Sequence, residues 1–263
     1  MCKASDNTVE ISKFEKEAWS TVERIRPMGV YFQESQWFID TMLRRFDPRA
    51  LHAVKPSVVA LGDDLPGELL LAFAENPFYV LGGSLGAAHW AEGVTPRDTD
   101  PVSRSSLGML QNPEFDLAEN ALIVTAASSD SRRKLAAMLA DAGRQVAVLD
   151  VPPSRQDPSA VSKYTAQLRR LVETMERHTG VHLTYQRLRE ACIAAADARR
   201  ELRLFLKITL GLEQVLSAPL RMLIAQSLYA ADKIIERKWK LARLNNAIKG
   251  FKGRCCMPDD GYP

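Results

Sequence analysis

Hydrophobic positions along this chain change their period twice. Between residues 8 and 25, Ile11, Phe14, Ala18, Val22 and Ile25 recur at helical spacing, forming one apolar face of an amphipathic helix. Pro27 stops it. A second helix is expected over 31–46, with Phe32, Trp37, Phe38 and Met42 on its apolar side. Asp47-Pro48 ends it, because the residue before a proline disfavours the α region. From residue 51 the pattern shifts to short, continuous apolar runs, expected as strands at 57–61, 78–81, 121–126 and 145–151. A turn and a helical pattern follow the first and third, with helices expected at about 65–76 and 130–141, the latter closed by Gly143. Residues 84–120 contain Pro96, Pro101 and Pro113 and show no firm period. They read as a long loop, of a length that is uncommon unless functional.

After residue 153 only helical spacing remains. Val161, Tyr164, Leu168, Leu171, Val172 and Met175 make one stripe that Gly180 stops. Thr184 opens a helix through Leu188, Cys192, Ala195, Leu202 and Phe205, and a last helix is expected over 219–248. Strand, helix and strand repeating at this pace predict an α/β protein with a parallel sheet of four or five strands. The expected divisions are an N-terminal helical cap (1–50), an α/β domain (51–153), a helical region (154–250) and a disordered tail (251–263). In such a sheet the turns at the strand ends form the ligand crevice. The stretch from Lys55 to Arg133 is therefore where a site should lie.

Composition narrows the function classes. A net charge of +3 over 263 residues does not point to a polyanion partner for the whole molecule. No window reaches the ~20 apolar residues of a membrane span, and MCKASDNTVEISK lacks the apolar core of a signal peptide. A cytoplasmic location and no membrane partner are expected. The four cysteines, Cys2, Cys192, Cys255 and Cys256, fit no zinc spacing and make no disulfide scaffold. Cys192 reads as a small packing residue, and the adjacent Cys255 and Cys256 cannot easily chelate one metal or pair without strain.

Several residues in and around the expected crevice invite a chemical reading, each with a plainer account beside it. Gly82-Gly83-Ser84-Leu85-Gly86 follows a strand, and backbone amides in such a turn can cradle a phosphate; a tight turn alone also explains it. Arg104, with Ser103 and Ser105 beside it, can pair with a phosphate or carboxylate, or anchor a loop on backbone carbonyls. Ser129, Asp130 and Ser131 stand at a strand end, and are equally good helix N-caps. Glu68 can orient a ligand, or complement the dipole of its own helix. No histidine has an evident acid or nucleophile partner. Residues 233–254 carry eight Lys and Arg against Glu236, a pattern that suits an acidic partner or a solvated helix face. Without aromatic interleaving beyond Trp239, nucleic acid is not expected there.

Taken in order, five segments resemble the D-component family of 2-hydroxyacyl-CoA dehydratases and benzoyl-CoA reductases. They are LPGELLLAFAENPFYVLGGS, DPVSRSSLGML, LIVTAASSDSRRKL, LDVPPS and ETMERHTGVHLTYQRLREACIAAADARREL. DPVSRSSLG is similar to the family's C-P-x-x-R-S-x-L-G segment, and the third to its strand followed by C-D-x-x-[KR]-[KR]. The resemblance covers about residues 50–210 and implies a flavodoxin-like (Rossmann-like) sheet. It also implies acyl-CoA as substrate, an iron–sulfur cluster on three cysteines, a paralogous subunit as partner and an activator ATPase as electron donor. Two departures matter. The first cluster cysteine falls at Asp100 and the second at Ser129, and clusters take thiolates. The third comes from a further domain that does not appear in this sequence.

The resemblance therefore implies a truncated or degenerate subunit, accessory to a cluster-bearing paralog and binding acyl-CoA through Gly82, Gly83, Ser84, Arg104 and Ser105. Glu68 and Ser129 are its candidate catalytic positions, with no metal ligand and no cofactor expected. Whether it is an enzyme, a lyase or a benzoyl-CoA reductase-like protein, stays open at this point. The alternatives are an active dehydratase or reductase component using a partner's cluster, and a non-enzymatic binding or regulatory module built on the basic C-terminal helix.

Overall fold

A computed structural model describes residues 16–17, 19–45, 56–73, 77–80, 82, 85–96, 98–111, 120–152, 154, 156–231 and 233–255. The chain divides into two compact units, Met1–Trp19 with Arg45–Cys192, and Ser20–Arg44 with Ile193–Pro263.

The first unit is α/β. Strands β1 (Val58–Leu61), β2 (Phe78–Val80), β3 (Leu122–Ala126) and β4 (Val146–Leu149) form one sheet in the order β2-β1-β3-β4. Every pairing is parallel, with Leu61 opposite Val80 on one side and Thr125 on the other. β1 and β3 are fully buried, as continuous apolar runs in a parallel sheet require when helices cover both faces. Alternate residues serve opposite cores. Val59, Leu61, Phe78, Val80 and Ile123 pack with Leu107, Leu110, Leu135 and Leu139. These come from α4 (Pro101–Gln111) and α5 (Asp130–Asp141). Val58, Ala60, Leu122, Val124 and Leu149 pack on the other face with Leu70, Phe73, Leu171 and Met175, from α2 (Gly67–Phe73) and α6 (Ala160–Thr179). Helix α6 thus shares a core with the sheet. Gly180 closes it in the left-handed region at φ 69°, its N–H reaching Glu176 O.

The expected loop over 84–120 is corrected. It holds α3 (Leu85–His89) and α4. The start of α4 is an Asp100-Pro101 pair, a cap followed by a first-turn proline. Its buried face consists largely of Ser103, Ser105, Ser106 and Gly108 beside Leu107, Met109 and Leu110, so no hydrophobic stripe announces it. The two helices touch closely: a Cβ on Gly108 would stand 1.7 Å from Ala87 O.

The second unit is helical. Two 3-10 turns (Arg26–Gly29 and Gln33–Ser35) lead into α1 (Gln36–Arg44), so the helix expected from residue 31 begins five residues later. Phe32, Phe38, Ile39 and Leu43 share a core with Phe205, Leu220, Ile224, Leu241, Leu244 and Ile248. The latter belong to α7 (Tyr185–Ile208), α8 (Ala218–Ala230) and α9 (Ile234–Cys255). The single last helix expected over 219–248 is therefore two, broken where Ala231 turns extended at ψ 138°. Neither glycine nor proline marks that break. α9 also runs past 248, where Phe251 meets Phe32 edge-on at 5.5 Å between ring centroids. Cys192 is exposed, contrary to a packing role; the turn is packed by Ala191, Ala195 and Ala198 instead. The expectations for Cys2, Cys256 and the end of the tail lie outside the described residues.

The Gly108 contact yields a direct test. Gly108→Ala should lower thermal stability by about 3 kcal/mol or more, because backbone of α3 blocks the added methyl. Urea unfolding of the variant measures it; an unchanged midpoint would show that α3 does not pack there.

Candidate functional site

Strand order places the reversal of direction at β1. The chain steps from β1 to β2 on one side and returns to β3 on the other, so the carboxyl ends of β1 and β3 flank the expected crevice. After β1 come Gly62, Asp63 and Asp64; after β3 come Ala127, Ser128 and Ser129.

These ends are laced together by side chains of the protein itself. Ser128 Oγ donates to Asp64 Oδ2. Arg132, on the first turn of α5, donates from Nη1 to the Leu61 carbonyl at 2.6 Å. The guanidinium passes so close beneath Gly62 that a Cβ there would stand 2.3 Å from Nη1, and Gly62 has φ +99°. The positive φ favours glycine at 62, whereas the end of the Arg132 side chain can shift from an added Cβ. Thr125 Oγ1 donates to the same Leu61 carbonyl at 3.4 Å.

The two positions that the resemblance aligns with cluster cysteines are both helix caps. Ser129 is the N-cap of α5, extended at φ −149° and ψ 164°, and its hydroxyl accepts from the Arg132 amide at 3.3 Å. Asp100 precedes α4, and its Oδ1 accepts from the Ser103 amide at 2.9 Å. Burial alone would raise the Asp100 carboxyl above its ordinary value. The Ser103 hydroxyl and amide, the Ser131 hydroxyl and the Val102 amide outweigh it and hold the carboxyl below that value. The Ser131 contact brings Asp100 to the first turn of α5, so the starts of α4 and α5 meet. Residues that are far apart in sequence, at 100 and 129–131, are thus assembled at one edge of the sheet.

As a donor set, Asp100 and Ser129 offer hard oxygens already committed to backbone amides. Iron–sulfur clusters are held by thiolates, so these residues do not fit one. Cys192 lies exposed on α7. Among the described residues, no group of three or more His, Cys, Asp or Glu is arranged to hold a metal ion.

The other candidates fall as follows. Gly82 has φ +71°, and a Cβ on it would strike Val102 O at 2.5 Å and the hydroxyls of Ser106 and Ser105. It packs on the first turn of α4. Ser105 is 1% exposed and its hydroxyl donates to Val102 O at 3.0 Å. Arg104 donates from Nη2 to Pro96 O at 3.2 Å and to Thr99 O at 3.5 Å. Glu68 is half-buried in the first turn of α2. Gly83 and Ser84 lie outside the described residues. A little further on, the Gly86 amide donates to the Glu17 carboxylate at 3.2 Å, so one amide of the glycine segment already has an anionic partner. Sequence reading missed Asp64, Ser128, Arg132 and Glu17 as members of this network. An arginine in a first helical turn, one strand away from a glycine that ends its strand, is the signal that identifies Arg132.

The sequence model of the 2-hydroxyglutaryl-CoA dehydratase D-component family matches residues 64–254, well over half of the chain. The chain belongs to this family. No curated protein matches it. No helix among the described residues is long and apolar enough to cross a membrane.

Removing a cap should cost stability here. Asp100→Ala and Ser129→Ala are each expected to lower it by about 1 kcal/mol, read from urea unfolding at neutral pH. Asp100 has a depressed folded value, so its contribution is present above the unfolded carboxyl range and is lost as pH falls through the folded one. Wild type should therefore lose more stability than Asp100→Asn between pH 6 and pH 2, and equal losses would remove Asp100 from this account.

Proposed function

We propose that this chain is a cluster-free accessory subunit of a 2-hydroxyacyl-CoA dehydratase-type assembly in the cytoplasm. It keeps the family's α/β site in shape and works beside a paralogous subunit that carries the iron–sulfur cluster. One observation carries the reading: Asp100 and Ser129 stand where the resemblance puts cluster thiolates, and both cap helices of their own. An oxygen that caps a helix satisfies amides that otherwise lack partners. It does not replace a soft thiolate on iron.

In this reading the electron and its donor, the activator ATPase, belong to the partner. The chain contributes a rigid wall at the strand ends. Acyl-CoA contact falls to the glycine segment Gly82, Gly83 and Ser84, whose amides suit phosphate. Arg104 and Ser105 support the loop and helix beneath it, since their polar atoms reach backbone carbonyls. Ser129 acts as a cap in this reading, its hydroxyl oxygen accepting from the Arg132 amide. Glu68 keeps a place in the first turn of α2, with an orienting role toward bound thioester.

The test is compositional. Protein purified without oxygen should contain no stoichiometric iron or acid-labile sulfide, before or after reconstitution with both. Co-expressed with a cluster-bearing paralog of the same family, it should elute in a stable complex whose iron follows the paralog alone. Stoichiometric iron on the isolated chain would overturn the proposal, as would a failure to bind any such paralog.

A further inference from the structure

The basic run on α9 is not one face. Leu241, Leu244 and Ile248 are fully buried in the helical core, and so is Arg237. Arg237 donates from Nε to Ser227 Oγ at 3.0 Å and from Nη2 to the carbonyls of Ile224 and Ala225 at 3.1 and 3.4 Å. Lys238 is tied to Asp197 on α7 at 3.3 Å. The charges at 237 and 238 are therefore used inside the unit.

The opposite side of α9 is different in kind. Ile235 is 57% exposed and Trp239 64%, and with exposed Arg243 they stand at i, i+4 and i+8, a single row on a helix. Lys233 and Lys249 are exposed at its two ends, against one acid, Glu236. The row opens toward its far end, where a Cβ on Gly250 would meet nothing within 4 Å. Lys238 Nζ lies 5.1 Å from the Trp239 ring centroid and 3.3 Å from Asp197. Tryptophan is enriched among the residues that anchor protein interfaces.

Beside the row lies a cleft of about 170 Å³ lined by Gln33, Glu34, Trp37, Lys240 and Arg243. Lys240 Nζ sits 5.9 Å from the Trp37 ring centroid. This is smaller than the roughly 300–1,000 Å³ of small-molecule pockets. It suits one side chain, and Lys240 and Arg243 against the single acid Glu34 leave its wall net positive, which favours a carboxylate.

We propose that the outer face of α9 docks an acidic amphipathic helix of a partner protein, with apolar residues on Ile235 and Trp239 and a carboxylate in the Lys240–Arg243 cleft. A second copy of this chain is disfavoured as occupant, since two-fold pairing would set the same cations against each other. Nucleic acid is disfavoured because the centre of the row is apolar, while the cations at 237 and 238 are engaged within the unit. The proposal is independent of whether the chain carries a cluster.

The experiment uses the full chain and a synthetic amphipathic helix with leucines at i and i+4 and glutamates elsewhere. Binding is read by fluorescence anisotropy. The expected result is saturable binding that weakens about tenfold or more with Trp239→Ser and with Arg243→Glu. Tyr185→Ser, at a residue 83% exposed elsewhere, should leave it unchanged, and all three variants should melt like wild type. Equal binding of a scrambled peptide of the same composition would overturn the proposal. So would no effect of Trp239→Ser, or tighter binding of a single-stranded oligonucleotide.

Discussion

A parallel sheet sends every strand out at the same edge, and the helices that follow β2 and β3 begin with amides that need acceptors. In this protein the acceptors come from the chain. Asp100 serves α4, Ser129 serves α5, and Glu17 takes the Gly86 amide at α3. Asp64 and Arg132 then tie the end of β1 to the segment that follows β3. Once these oxygens are committed to amides, they are poor donors for anything else. Each cap is worth about 1 kcal/mol, and together they fix the geometry of the edge where family chemistry resides. The requirement to satisfy helix-start amides thus engages the side-chain oxygens at this edge.

Strands β1 and β3 were legible because a strand covered by helices on both faces is nearly all apolar, as VVAL is and as LIVTA is apart from Thr125. Helix α5 was legible to the residue, since Ser129-Asp130 caps it and Gly143 follows its end. Helix α4 was not. Its buried face is serine and glycine, which score as polar or as turn formers. Ser105 and Ser106 satisfy their hydroxyls on Val102 O and so enter the core without an apolar signature. Proline at 101 read as a break when it marks a first turn. The split between α8 and α9 had no local signal either; the extended Ala231 is followed by a helix whose Arg237 reaches back to α8 carbonyls.

Arg237 also shows why charge counting misleads in the second unit. A guanidinium that is fully buried, with its value lowered by burial to about 10, is costly unless its donors are met. Among the described residues Nε and Nη2 meet one hydroxyl and two carbonyls, while Nη1 is buried with no hydrogen-bond partner. Those partners lie in the middle of α8, so the charge holds two helices in register. From sequence it was one of eight similar cations, and only its place on the inward side of α9 separates it from Arg243. The same geometry leaves Ile235 and Trp239 outward, which periodicity cannot distinguish from core without knowing which face is covered.

The residues that carry the family resemblance are themselves accounted for by packing. In Arg104-Ser105-Ser106-Leu107-Gly108, the arginine reaches the carbonyls of Pro96 and Thr99, and the serines close the helix beneath Gly82. Leu107 is fully buried against the sheet, and Gly108 admits the backbone of α3. Each would be needed to build this edge whether or not a cluster were bound to it. At positions 100 and 129 themselves, Asp and Ser cap α4 and α5. The chain belongs to the family over residues 64–254, and positions 100 and 129 are where it departs from the cysteines that the resemblance implies.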